Sequence, residues 1–282
     1  MKLDIHNLPI AITGAGTGIG KATALACARA DMPVALAGRR EEPLREVQTA
    51  IETAGGRAIV VPTDVADPDA SARFIARTIE EFGTIYAVFA NAGYGLRGPV
   101  HELSDDAIRK IFETNFFGSM HVIRPALAHM LEHRAGEKHR GHILLCSSCL
   151  SKLGTPYTAP YSASKALQDH FGRAMRHELQ PQGIHVSTVH PIGTRTEFIE
   201  AANRVSGGAG ESMPPPEAFT QPPERIARAV VACLRTPKGE VWTSHTVRLA
   251  FAAATACPAL ADWGIARALR KRDLPADNAH ND

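Results

Sequence analysis

The 282-residue chain holds no run long and apolar enough to span a bilayer. Its longest uncharged stretch near the carboxyl end, residues 249–261, is interrupted by Pro258 and falls short of the roughly 20 residues a membrane helix needs. The amino-terminal residues 1–6 lack the apolar core of a signal peptide, so a cytoplasmic protein is the expectation. A surplus of either charge is missing as well: 31 Lys and Arg stand against 29 Asp and Glu, and a net charge of +2 gives no reason to invoke nucleic acid. Cysteine is scarce, and five is an odd number in a chain of this size, which fits a reducing compartment. No repeat, long linker or second domain is visible, so residues 1–274 read as one domain and the last residues, 275–282, as a disordered tail. What is present, at 44% hydrophobic and 21% charged, is enough apolar chain for a large core.

Two motifs that suggest metal or redox chemistry lack what that chemistry requires. Cys146-Ser-Ser-Cys149 has dithiol spacing, but a zinc site needs two further ligands and no second C-x-x-C exists. A redox pair also belongs at a helix N-terminus, whereas this one brackets a strand end. His129-Met-Leu-Glu132-His133 matches the H-x-x-E-H pattern of a zinc peptidase. The helix that carries it starts near Ser104 and runs back along the sheet, so the motif falls at the edge remote from a ligand crevice. No metal site is expected.

Apolar runs at residues 8–12, 33–37, 58–62, 85–90, 143–146, 185–189 and 240–243 alternate with helical stretches. That alternation predicts an α/β fold, a doubly wound parallel sheet of seven strands with helices on both faces. Between the first run and a helical stretch lies Thr13-Gly-Ala-Gly-Thr-Gly-Ile-Gly20. Glycine there lets the backbone take unusual φ values and approach a pyrophosphate, and the helix that follows presents free N–H groups to it. The informative spacing is Gly14-x-x-x-Gly18-x-Gly20, with Thr17 and Ile19 inside the turn. The commoner dinucleotide pattern G-x-G-x-x-G would need glycine at Ile19 or Lys21.

Further along, Tyr161 and Lys165 stand four apart in Tyr-Ser-Ala-Ser-Lys and so share a helix face. A phenol titrates near about 10, and a fixed ammonium beside it is expected to draw that value down toward the working pH. Such a pair suits proton transfer to and from a substrate oxygen.

With these landmarks the sequence resembles the short-chain dehydrogenase/reductase family, over residues 8–244 and with its motifs in order. The resemblance implies a Rossmann fold with strand order 3-2-1-4-5-6-7 and a catalytic tetrad of Asn115, Ser148, Tyr161 and Lys165. In the family's terms, Ser148 orients the substrate, Lys165 tunes Tyr161 and grips the nicotinamide ribose, and Asn115 holds a water of a proton relay behind the lysine. Asp64 and Val65 look like the adenine contact, and Asn91-Ala92-Gly93 resembles the turn that supports the central sheet. After the sixth run the family's Pro-Gly-x-x-x-Thr becomes Pro191-Ile192-Gly193-Thr194-Arg195-Thr196, with the glycine moved by one. Pro191, Gly193, Thr194 and Thr196 are the expected contacts to the nicotinamide carboxamide.

Cofactor choice is read from Gly38-Arg39-Arg40 after the second run. An acid there would bind ribose hydroxyls and repel a 2′-phosphate. A small residue followed by guanidinium groups favours the phosphate, hence NADP(H) over NAD(H). Arg39 and Arg40 are otherwise solvated charges opening a helix beside Glu41 and Glu42.

The expected activity is an NADP(H)-dependent interconversion of a carbonyl and an alcohol. The alternatives are a cofactor-binding regulator or scaffold that has kept the fold without turnover, and sugar-nucleotide epimerisation, which calls for the other glycine spacing. Leu96, Leu153 and Tyr157 are expected to give the pocket an apolar, aromatic lining. Residues 197–223, rich in glycine and proline, resemble a mobile substrate lid. Residues 246–272 form a helical extension with three roles open to it: capping the pocket, packing within or between subunits, and lying on a membrane surface. The family's habit of pairing its fourth and fifth helices implies a homodimer or homotetramer.

Overall fold

The computed structural model describes residues 2–133, 137–194, 198, 202 and 220–272. Its strands are β1 (Ile10–Thr13), β2 (Val34–Gly38), β3 (Ala58–Pro62), β4 (Ala87–Ala90), β5 (Gly141–Cys146), β6 (Ile184–His190), two short strands β7 (Gly193–Thr194) and β8 (Thr220–Gln221), and β9 (Glu240–Trp242). Seven of them form one parallel sheet in the order β3-β2-β1-β4-β5-β6-β9. This is the order expected from the sequence, with β9 as the seventh member because β7 and β8 pair with each other instead. Two residues carry no periodicity, so that ladder is silent in the sequence.

The helices are α1 (Gly18–Ala28), α2 (Glu41–Thr53), α3 (Pro68–Phe82), α4 (Asp105–Phe112), α5 (Gly118–His133), α6 (Ala159–Leu179), α7 (Pro223–Arg235), α8 (His245–Ala256) and α9 (Pro258–Arg272). A strand covered on both sides is written as an unbroken apolar run, and β1, β4 and β5 are buried at every residue. Successive side chains then serve opposite faces. Ile10, Ile12, Val34, Leu36 and Phe89 pack under α1, α2 and α7; Ala11, Ala35, Val88, Ile143 and Leu145 pack under α3, α5 and α6. Each fully buried aliphatic side chain contributes about 2 kcal/mol before conformational entropy is subtracted.

The reading of one continuous helix from near Ser104 to His133 needs correction. A π-helical turn, Glu113–Phe117, separates α4 from α5, and Asn115 on it is fully buried. Single π-turns of this kind concentrate at functional sites because the extra residue redirects a side chain.

The carboxyl-terminal extension is the helix pair α8 and α9, which meet at a bend of 109°. Ser244 caps α8 by accepting a hydrogen bond from the Val247 N–H, and Leu249, Leu260 and Trp263 on the pair are exposed. No single helix among the described residues is long and apolar enough to cross a membrane. Residues 275–282 and all of residues 197–219 except Phe198 and Ala202 lie outside the described residues.

Candidate active site

β1 lies between β2 and β4, where the chain reverses its direction of travel across the sheet, and a crevice opens at the carboxyl ends of these strands. Side-chain bonds fix the two strand ends there. The Thr13 hydroxyl accepts from the N–H groups of Asn91 and Ala92, both at 3.0 Å, and the Asn91 amide donates back to the Thr13 carbonyl at 2.9 Å. Gly14 and Gly18 take left-handed φ values of 63° and 53°. Gly20 is glycine for space: a Cβ there would stand 2.0 Å from the Gly14 carbonyl oxygen. Thr17, the N-cap of α1, makes no side-chain cap hydrogen bond, so the first-turn N–H groups are left for a ligand lying against Thr17, Gly18 and Ile19.

A cavity of about 740 Å³ extends from this turn. Of the residues expected at a cofactor, its walls hold Gly14, Thr17, Gly18, Ile19, Arg39, Arg40, Asn91, Ala92, Gly93, Pro191, Gly193 and Thr194, and of the tetrad Ser148, Tyr161 and Lys165. Gly20 lies beneath Gly14 and acts through it. Asp64 and Val65 are not among the lining residues. The Asp64 carboxylate is exposed and accepts from the Ala66 N–H, while Val65 is buried against Gly118. Thr196 falls outside the described residues. Glu41 forms an ion pair with Arg45 at 2.8 Å, one turn further along α2.

The expectation that Lys165 lowers the Tyr161 pKa is overturned. The Lys165 ammonium donates to the Cys146 carbonyl at 2.8 Å and to Gln168 Oε1 at 3.0 Å, and stands 5.9 Å from the centre of the Tyr161 ring. Tyr161 is half-buried, and its burial pushes the phenol well above its usual value, against a smaller downward pull from its hydrogen bond with Ser148. Desolvation costs the phenolate more than nearby charge returns. Burial likewise lowers the Lys165 pKa. The Ser148 hydroxyl accepts from the Leu150 N–H at 3.1 Å, which fixes it at the head of a short 3-10 turn, Cys149–Lys152.

Asn115 is fixed through its side-chain amide, which bonds the backbone of Tyr94 and Ser164. The Gln168 amide donates to the Asn115 carbonyl at 2.7 Å while its oxygen accepts from Lys165, so Gln168 links Asn115 to the lysine. Gln168 is the residue of this site that the sequence did not single out. Its signal is its place three after Lys165, on the same helix face.

The substrate wall differs in part. Leu96 lines the cavity; Leu153 and Tyr157 do not, and Leu150, Ile192, Phe198, Val247 and Phe251 do. The Phe198 ring lies 5.5 Å from that of Tyr161. Arg97 is the charged member of this wall, close enough to Tyr161 for the two to interact electrostatically. Val247 and Phe251 belong to α8, so of the roles open to the carboxyl-terminal extension the structure favours capping the pocket.

Burial pushes the Cys149 thiol up to about 11, the reverse of what a redox dithiol requires. In the H-x-x-E-H segment His129 pairs with Thr84 at 3.2 Å and His133 with Glu132 at 3.7 Å. Among the described residues one group has metal-ligand atoms close together, Asp169, His190 and Glu240. There the Lys152 ammonium already stands between the acids, 2.6 Å from Asp169 and 3.1 Å from Glu240.

The model of the short chain dehydrogenase family matches residues 9–206. An A-factor type gamma-butyrolactone 1'-reductase of Streptomyces virginiae is 33% identical over 84% of this chain and 91% of its own length. An alcohol dehydrogenase from Thermococcus sibiricus, solved with 5-hydroxy-NADP, superposes with a TM-score of 0.71 at 26% identity, covering 83% of this chain and 94% of that one. A short chain dehydrogenase/reductase from Burkholderia phymatum, solved with NAD, shares the fold at a TM-score of 0.79 and 21% identity, covering 99% and 100%.

Proposed function

This chain belongs to the short-chain dehydrogenase family and is an oxidoreductase, and from that premise we propose that it interconverts a carbonyl and an alcohol with NADP(H), using Tyr161 as general acid and base. The observation that carries this reading is that one cavity takes in the glycine turn, Arg39 and Arg40 together with Ser148, Tyr161 and Lys165. The residues suit a dinucleotide. At Gly14 backbone alone faces the cavity, and any Cβ at Gly20 beneath it would collide with the Gly14 carbonyl.

A bound dinucleotide supplies the hydride to the carbonyl carbon. Ser148 holds the substrate oxygen by hydrogen bonding, and Tyr161 gives that oxygen its proton. The raised phenol pKa keeps the proton on Tyr161 at neutral pH, which suits an acid in the reductive direction. Lys165, held by Cys146 and Gln168, is set for the ribose hydroxyls, and Asn115 holds Gln168 in turn. Leu96, Leu150, Ile192, Phe198, Val247 and Phe251 favour apolar ketones or aromatic aldehydes, with Arg97 a charged handle on that side.

The test is a panel of carbonyl compounds followed by loss of NADPH absorbance. NADPH is expected to exceed NADH in kcat/KM by at least about tenfold, since hydrogen bonds to a charged group are worth about 1.5–3 kcal/mol. Arg39→Ala should erase most of that margin by weakening NADPH and leaving NADH unchanged. Equal use of both cofactors by the parent enzyme would defeat the NADP assignment, and no turnover across the panel would favour the scaffold reading.

A further inference from the structure

A buried polar cluster lies directly behind Ser148, and nothing in the mechanism above uses it. His190, the last residue of β6, is fully enclosed. Its ring stacks on Trp242 of β9 at 4.5 Å and 6°. Nδ1 stands 3.1 Å from the Ser148 carbonyl oxygen and Nε2 3.0 Å from the Thr188 hydroxyl. Nδ1 is also 3.4 Å from the Ser151 hydroxyl. The Ser148 carbonyl, which only accepts, lies nearer to Nδ1 than the Asp169 carboxylate does to Nε2, so the proton is assigned to Nδ1 and Nε2 then accepts from Thr188. Asp169 Oδ1 is 3.4 Å from Nε2, but its other oxygen holds the Lys152 ammonium at 2.6 Å, and Lys152 also reaches Glu240 at 3.1 Å. Glu240 is further engaged by the Trp242 indole N–H and by Arg248. With Asp169 already paired, burial lowers the His190 pKa and keeps the ring neutral.

The bond to Ser148 has a partner on the same peptide group. The C=O of Ser148 and the N–H of Cys149 belong to one peptide plane; His190 donates to the first, and the Cys149 N–H donates to the Pro191 carbonyl at 3.0 Å. His190 at the end of β6 and Pro191 directly after it therefore grip that plane at both ends, and the Ser148 carbonyl also accepts from the Ser151 N–H at 3.1 Å, a local bond that closes the 3-10 turn without tying it to the sheet. Its orientation sets ψ of Ser148, which is extended at 158°, and with it the direction in which the Ser148 side chain leaves the backbone. The Pro191 half of the grip is main chain and survives any side-chain change. The His190 half does not.

We infer that His190 is a positioning residue for Ser148: donating from Nδ1 and locked between Trp242 and Asp169, it holds the Ser148–Cys149 peptide so that the serine hydroxyl meets the substrate oxygen. This rests on the role proposed for Ser148. A misplacement of about 1 Å in such a group costs about 100-fold in rate, whereas loss of one hydrogen bond alone costs far less.

Two replacements separate donor from ring. His190→Phe keeps a flat ring for Trp242 and removes the donor; His190→Asn loses the stack and returns an amide N–H near the place of Nδ1. With NADPH and the panel compound reduced fastest, His190→Phe is expected to lower kcat about 30-fold with KM and the NADPH Kd little changed, and His190→Asn to recover most of it. In a Ser148→Ala background the His190→Phe change should cost less than about twofold more, because the group it aims is gone. A folded His190→Phe enzyme with parental kcat overturns the inference, and so does an undiminished loss in the Ser148→Ala background. Should the phenylalanine variant fail to fold, as judged by its thermal midpoint, His190→Asn decides: retained kcat supports the donor role, and a loss like that of Ser148→Ala refutes it. Parental turnover by Ser148→Ala alone would instead overturn the role of Ser148, a result read independently of His190.

Discussion

Tyr161→Phe is expected to lower kcat about 1,000-fold, within the range that a positioned acid or base contributes, while NADPH binds with affinity changed by less than about twofold. The phenol is the proton donor of the proposed mechanism, and phenylalanine keeps its ring against Phe198. Burial holds the phenol pKa above the ordinary value, so the group is protonated throughout the neutral range. The sign of the pH dependence follows. Reduction needs the protonated phenol, so its rate should be flat from about pH 6 to 9 and fall only on the alkaline side of about 10. Oxidation needs the phenolate and should rise about tenfold per pH unit over the same range. Stopped-flow rates in both directions, with cofactor Kd from NADPH fluorescence, provide the check. A phenylalanine variant that retains its turnover, or a reductive rate already falling at pH 7, would remove Tyr161 from its role.

Gly20→Ala is expected to abolish useful cofactor binding, raising the NADPH Kd by at least about 100-fold, which corresponds to about 2.7 kcal/mol. The added carbon would stand 2.0 Å from the Gly14 carbonyl oxygen and 2.8 Å from the Asn91 amide. No side-chain rotation relieves a clash with main chain, so the turn or the start of α1 must move, and about 1–3 kcal/mol of folding stability should go with it. Gly154→Ala is the control, since nothing lies within 4 Å of a Cβ there. Fluorescence titration and thermal melting of the two variants should diverge sharply. An alanine at 20 that binds NADPH normally would show that the turn is not the cradle.

The strands are legible in the sequence because a sheet covered on both faces must be spelled as apolar runs, and the glycine turn is legible because only glycine tolerates those contacts. Tyr161 and Lys165 are legible as a pair on one helix face. Spacing along a chain says nothing about depth, however, and depth decides the direction in which the Tyr161 pKa moves. Nor does spacing say which acceptors compete for an ammonium: the Cys146 carbonyl comes from β5, far from α6 in sequence, and only the folded chain brings it to Lys165. Asp64 shows the opposite limit. A motif names a residue, and only the fold shows that the Asp64 carboxylate accepts from the Ala66 N–H and is not among the residues lining the cavity. The π-turn at Asn115 is a defect of one residue in an otherwise helical pattern and leaves no periodic trace.

Val247 and Phe251 reach the cavity from a helix that begins only after the last strand of the sheet is complete. Part of the cavity's apolar wall is thus drafted in a different portion of the polypeptide from the proposed catalytic residues, and that part can be exchanged without rewriting them. A chimaera carrying a relative's residues from Ser244 onward should inherit that relative's taste in carbonyl compounds while keeping this enzyme's coenzyme preference. Competition assays between two ketones would reveal whether the inheritance is modular or whether the donor helix leaves discrimination untouched.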